Sequence, residues 1–210
     1  MKLSDKEILY LDNHLIIVNK PSQLITQPTN LSQDSMETRV KAFLKERFQK
    51  KGEAFAHVVH RLDRVASGIV VCARTSKALS RLNEQIRKGL WKKKYLLRYE
   101  GELPHQSGTL IHFLERQAYR SVVTFEGKGK RAELHYNAIG DHRAEVELIT
   151  GRYHQIRVQM AAIGCPICGD EKYGSTVKAK SSGIDLCHIE LAFSHPVTKN
   201  LLIIKIDPPF

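Results

Sequence analysis

Short blocks of apolar residues, most of them alternating with polar ones, run along this 210-residue chain and predict more strand than helix. Residues 8–18 hold two apolar runs joined at Asp12-Asn13, the pattern of two short strands in a hairpin. Asn19-Lys20-Pro21-Ser22 then ends the second strand, because proline has no N–H to give to a ladder. Asp34 or Ser35 can cap a helix with Val40, Phe43, Leu44 and Phe48 on one face and basic residues on the other. Residues 57–62 read as a strand running into a loop, and 68–73 as a buried strand with the unbroken run Ile69-Val70-Val71-Cys72-Ala73. Thr75 or Ser76 starts a second helix whose inner face carries Leu79, Leu82 and Ile86, and Gly89 stops it.

The second half continues in the same way. Residues 94–99 predict a strand, and several extended segments follow over 108–150. The clearest is 144–149, where Ala144, Val146 and Leu148 alternate with Glu145 and Glu147. A third helix is expected over 154–163, with Ile156, Met160 and Ile163 inward. His154 and Arg157, three apart, share another face turned to a site or to solvent. Residues 186–193 and 201–206 form a last strand pair around a turn at His195-Pro196. Strands outnumber helices and do not alternate regularly with them. The expected class is α+β, a mixed and largely antiparallel sheet with flanking helices.

Composition narrows the function. At 42% hydrophobic and 26% charged the chain is ordinary globular material, long enough for one large domain or two small ones. Its apolar runs are far shorter than a membrane-spanning helix, and residues 1–10 lack the apolar stretch of a signal peptide. A soluble, cytoplasmic protein is expected. No hydrophobic stripe is left over, which favours a monomer. Lys and Arg number 33 against 22 Asp and Glu, a formal charge of +11. Such a balance suits a polyanionic partner. The basic residues cluster at Lys45, Arg47, Lys50 and Lys51, and again at Trp91-Lys92-Lys93-Lys94-Tyr95. Lysines between aromatics fit RNA, whose phosphates pair with cations and whose exposed bases stack.

Two cofactor readings are weak. Cys165 and Cys168 have zinc-ligand spacing, with Cys187-His188 further on. Neighbours in a strand point to opposite faces, however, so Cys187 and His188 do not both face one metal, and buried thiols are the better reading. The chain has no glycine-rich fingerprint after a strand and no Walker-type loop, so no nucleotide cofactor is indicated.

The chemistry centres on residues 57–68, His-Val-Val-His-Arg-Leu-Asp-Arg-Val-Ala-Ser-Gly. Asp63 stands between Arg61 and Arg64 where a strand gives way to a loop. Taken alone, this is as much a salt-bridged turn aspartate as a nucleophile or base. The segment resembles the His-Arg-Leu-Asp motif of the RluA-type pseudouridine synthases, and further resemblances follow in family order. They are Asn19-Lys20-Pro21-Ser22, Lys94-Tyr95-Leu96, and Gly151-Arg152-Tyr153-His154-Gln155-Ile156-Arg157. The run from Gly164 to Asp170 with Tyr173-Gly174, and Phe193-Ser194-His195-Pro196-Val197-Thr198, complete the set. Together they span about residues 8–208.

The resemblance implies a single catalytic domain over 1–210 with a central cleft and without the small S4-type domain of some relatives. It implies isomerisation of uridine to pseudouridine in rRNA or tRNA, with no metal or cofactor. Asp63 is then the essential carboxylate, as nucleophile or base. Tyr95 stacks on the target uracil, and Arg157 pairs with Asp63 and keeps it ionised. Arg61, Arg64, Lys92, Lys93 and Lys94 would contact the RNA. The chain departs from the family pattern at Gln23, where glycine is common, at Ala66 and Tyr153 (usually threonine), and at Gln159 and Cys187 (usually histidine). The competing readings are an RNA-binding protein of this fold that does not catalyse, a zinc-dependent nucleic-acid-binding module, and a hydrolase. The hydrolase lacks a second placed carboxylate.

Overall fold

A computed structural model describes residues 3–210, which fall into two compact units. The first takes in the chain up to Trp91 together with Leu191–Ile206; the second is Lys92–Glu190 with Asp207–Phe210.

In the first unit, β1 (Ile8–Leu11) pairs antiparallel with β2 (Leu15–Lys20), and β2 with β4 (Ser67–Ala73), setting Val18 opposite Val70. The expected hairpin forms because Asp12 Oδ1 accepts the N–H groups of His14 and Leu15, at 2.8 and 2.7 Å, and closes the turn. Helix α1 (Met36–Arg47) starts on Ser35, whose hydroxyl accepts the Thr38 N–H. Helix α2 (Ser76–Arg87) starts on Thr75, and Gly89 follows its end at φ +68°. Leu15, Ile17, Ile69, Val71, Leu82, Trp91, Leu191 and Phe193 form the core, with Leu79 and Ile86 at its edge.

Two expectations are corrected here. Phe48 lies beyond the end of α1, so its side chain leaves the apolar stripe; it is 45% exposed beneath the Arg74 guanidinium. The strand expected over 57–62 is only β3 (His57–Val58). Beyond it the Val71 N–H goes to His60 Nε2 instead of a main-chain carbonyl, and the segment leaves the ladder. The turn expected at His195 forms, and His195 is buried in it. Its Nδ1 accepts the N–H groups of Val197 and Thr198, which places the proton on Nε2 for donation to Asp12 Oδ2 at 2.9 Å.

The second unit is built on β5 (Lys92–Arg98), β6 (Ser107–Gln117), β7 (Arg120–Thr124), β8 (Lys130–Gly140) and β9 (Arg143–Leu148). They lie in the order β5-β9-β8-β6-β7, with antiparallel neighbours throughout. Helix α3 (Gln155–Ala162) packs against β6 and β7. Its residues from Gln155 to Met160 are all buried, so of the two expected settings for Arg157, a site or solvent, solvent is ruled out. The Gln155 side chain accepts the Arg152 N–H and the Thr150 hydroxyl, fixing the turn before the helix. Strand β10 (Leu186–Ser194) carries the chain from the second unit back to the first, where β11 (Leu201–Lys205) pairs with it. The class is α+β, as expected. No helix among the described residues is long and apolar enough to cross a membrane. All four cysteines are buried, free thiols, and burial raises the pKa of Cys72, Cys165 and Cys168. Among the described residues, no three His, Cys, Asp or Glu side chains gather as a metal site.

Candidate active site

Asp63 lies in a half-buried turn whose backbone is held from two sides. Lys20 ends β2 on the same inward face as Ile16 and Val18 and is wholly buried. Its ammonium donates to the carbonyls of Pro21 and Leu24, both at 2.8 Å, and of Ala66 at 2.7 Å, with Arg64 at 3.4 Å. A buried ammonium is tolerable only where such oxygens replace water. On the other flank, Thr26 Oγ1 donates to the Leu62 carbonyl at 2.8 Å and accepts the Leu62 N–H at 3.1 Å. The residues on either side of Asp63 are thus tied to the segment 20–26.

Gln23 lies in that segment with φ +64°. This is the left-handed region, which glycine enters without strain, and it gives a physical reason for the glycine that the family pattern leads one to expect here. Its carbonyl accepts from Arg64 Nε at 3.4 Å. Arg61 and Arg64 are both exposed.

Tyr95 sits in β5 opposite Val146, only 6% exposed, with its ring stacked on His188 at 4.6 Å and 17°. Strand alternation divides the three lysines before it. Lys93 shares the Tyr95 face, whereas Lys92 and Lys94 point the other way. Lys92 is exposed. Lys93 is half-buried, and burial lowers its pKa. Its ammonium lies beside Gly151, 3.9 Å from where a side chain there would begin.

Arg157 is 4% exposed and forms a two-pronged pair with Asp170, Nε to Oδ2 at 2.6 Å and Nη2 to Oδ1 at 2.8 Å. The Tyr173 ring lies 5.0 Å from its guanidinium. The Tyr173 hydroxyl accepts the Ser121 N–H and bonds His154 Nδ1 at 2.9 Å. His154 itself enters α3 at φ +53°. Tyr153 is stacked on His154 and lies under the Arg116 guanidinium at 4.3 Å. Gln159, fully buried, donates to the Leu110 carbonyl at 3.0 Å. Sequence reading missed the supports: Lys20 and Thr26 for the Asp63 turn, and Asp170 for Arg157. The inward register of Lys20 in its strand was the available signal.

A family model described as RNA pseudouridylate synthase matches residues 14–162, a stretch that includes Asp63, Tyr95 and Arg157. The chain belongs to this family. It is 36% identical over 221 residues to the dual-specificity RNA pseudouridine synthase RluA of Haemophilus ducreyi, covering 97% of this chain and 94% of that protein. Against the same-named protein of Escherichia coli K12 the identity is 34% over 213 residues, covering 97% and 93%. This chain is an RNA pseudouridine synthase of the RluA type. Among solved structures, human RNA pseudouridylate synthase domain containing 4 matches with a TM-score of 0.79 at 21% identity, over 97% of this chain and 89% of that one. Human RNA pseudouridylate synthase domain containing 1 gives 0.76 at 20% identity, over 100% and 87%. At these identities the likeness gives the fold alone.

Proposed function

We propose that this synthase isomerises uridines in folded tRNA and rRNA, with Asp63 as the essential carboxylate and residues 1–210 working as one catalytic domain. The observation that carries the reading is the Asp63 turn, held at Leu62 by Thr26 and at Arg64 and Ala66 by Lys20. A carboxylate that must meet one atom of a flipped nucleotide needs such a fixed backbone. In the reaction the bond from ribose C1′ to uracil N1 breaks, the base turns, and C5 bonds to C1′. The C5 hydrogen leaves as a proton and N1 gains one, so no redox partner is required. Asp63 acts as nucleophile or base in this sequence. Tyr95, its ring held by the His188 stack, is assigned to stack on the uracil. Arg157, aimed by Asp170, is the third residue assigned to the catalytic set.

RNA contact is the role of the exposed Arg61, Arg64 and Lys92 and of the half-buried Lys93 and Lys94. Lys93 fits a phosphate near the target base, since its desolvated ammonium gains most from an anion. The name of the related proteins, dual-specificity, supports proposing both RNA classes. The test is tritium release from RNA labelled at uridine C5, with tRNA and rRNA supplied separately. Release from both supports the full reading, release from one restricts it to that class, and release from neither contradicts it.

A further inference from the structure

Between Gly174 and Ile184 the chain has no regular secondary structure and no acidic residue, yet its conformation is held by two carboxylates from outside the loop. Glu100 accepts four hydrogen bonds: Thr176 N–H at 2.8 Å, the Thr176 hydroxyl at 2.6 Å, the Ser175 hydroxyl at 3.0 Å and Val177 N–H at 3.3 Å. These bonds lower its pKa to about 2, so it holds the loop as an anion. Asp185, fully buried, accepts the N–H groups of Lys180 and Ser181 at 3.0 and 2.9 Å and pairs with Arg98 at 2.8 Å. Arg98 in turn donates to the Lys178 carbonyl at 2.9 Å. Every anchor engages the polar backbone or a hydroxyl, and none engages a lysine ammonium. Lys178 and Lys180 are both exposed, and among the described residues neither is in an ion pair.

The loop also rests on the segment that aims Arg157. Gly169 N–H donates to the Val177 carbonyl at 2.8 Å, and Ser175 N–H to the Asp170 carbonyl at 3.1 Å. Gly169 has φ +85°, and a side chain there would begin 2.6 Å from the Ala179 methyl carbon. Only glycine lets the loop lie this close to the peptide that precedes Asp170.

We infer that the loop 174–183 is a preformed RNA-backbone site in which Lys178 and Lys180 bind phosphates, one layer of peptide away from the Asp170–Arg157 pair. The inference rests on the RNA-modifying reading above and extends it to a surface outside the residues given roles there. Charge complementarity chooses the occupant. Two lysines on a loop without acids face solvent, and ordering the loop in advance lowers the entropy lost when a polyanion binds.

The test is the dependence of RNA affinity on salt, read by fluorescence anisotropy with labelled tRNA at several salt concentrations. The variants are Lys178→Gln/Lys180→Gln and, as a control of equal charge, Lys77→Gln in α2 with Lys88→Gln just after its end. Each lost phosphate contact lowers the magnitude of the slope of log K against log salt by about 1. The loop variant is therefore expected to lose about 2, the control much less, and tritium release should show a raised KM with kcat kept. An unchanged slope, or an equal change in the control, overturns the inference. The synthase reading fails separately: wild type that releases no tritium sinks that reading, while the slopes still report on the loop.

Discussion

The ammonium of Lys20 and the carbonyl of Ala66 meet at 2.7 Å, although 46 positions separate the two residues in sequence. The bond closes the far side of the Asp63 turn, and it is one of four that a single buried cation makes to carbonyls. Lys20→Met keeps the volume but leaves those carbonyls without a donor. The expected cost is about 2–4 kcal/mol, because buried acceptors lose their partner. Urea unfolding checks it; a change below about 0.5 kcal/mol would mean that the ammonium is not the anchor.

Thr26→Val removes one hydroxyl that both donates to and accepts from the Leu62 backbone. A loss of about 1–3 kcal/mol in stability is expected. At temperatures where the variant stays folded, kcat should fall while RNA affinity is retained, since the hydroxyl positions Asp63 and binds no RNA. Thr26→Ser should restore kcat. Equal losses of kcat in the valine and serine variants would contradict the positioning role.

Gln23→Gly is expected to stabilise the protein. At φ +64° a side chain costs about 1–2 kcal/mol, partly offset by the greater freedom of glycine in the unfolded chain. A net gain of about 0.5–1 kcal/mol should appear as a higher Tm. A lower Tm would mean that the glutamine side chain contributes more than the strain it introduces.

Glu100 provides a test by pH. Its four hydrogen bonds hold its pKa at about 2, below the ordinary glutamate range near 4.3. A carboxylate with a lowered folded pKa contributes its stability fully above the unfolded value. That contribution fades as pH falls from about 4.3 toward 2. Carbon-detected NMR titration of the Glu100 carboxyl should therefore show it still ionised at pH 3. A midpoint near 4 would show that the clamp on the loop 174–183 does not form in solution.

The elements were largely legible because their signals are local. Ser35 and Thr75 cap helices where the pattern placed them, and Asp12 turns the first hairpin. One miss came where a side chain replaced a main-chain partner. His60 takes the Val71 amide and shortens a strand, and no periodicity shows that. The supports of the site were hidden for a similar reason. Asp170 and Arg157 both stood in quoted motifs, but their pairing depends on how the chain after α3 folds back on the helix. Lys20 looked like part of a strand stop, although alternation after Ile16 and Val18 already turned it inward. The departure at Gln23 was visible as a sequence difference, and its meaning appeared only with the backbone angle.

The most direct test of Asp63 is the isosteric change Asp63→Asn, followed by tritium release from C5-labelled RNA under single-turnover conditions with enzyme in excess. The account predicts RNA binding close to wild type and a loss of release of at least about a thousandfold, because the amide is neither nucleophile nor base. Release within about tenfold of wild type, with binding unchanged, would contradict the assignment of Asp63 as the essential carboxylate.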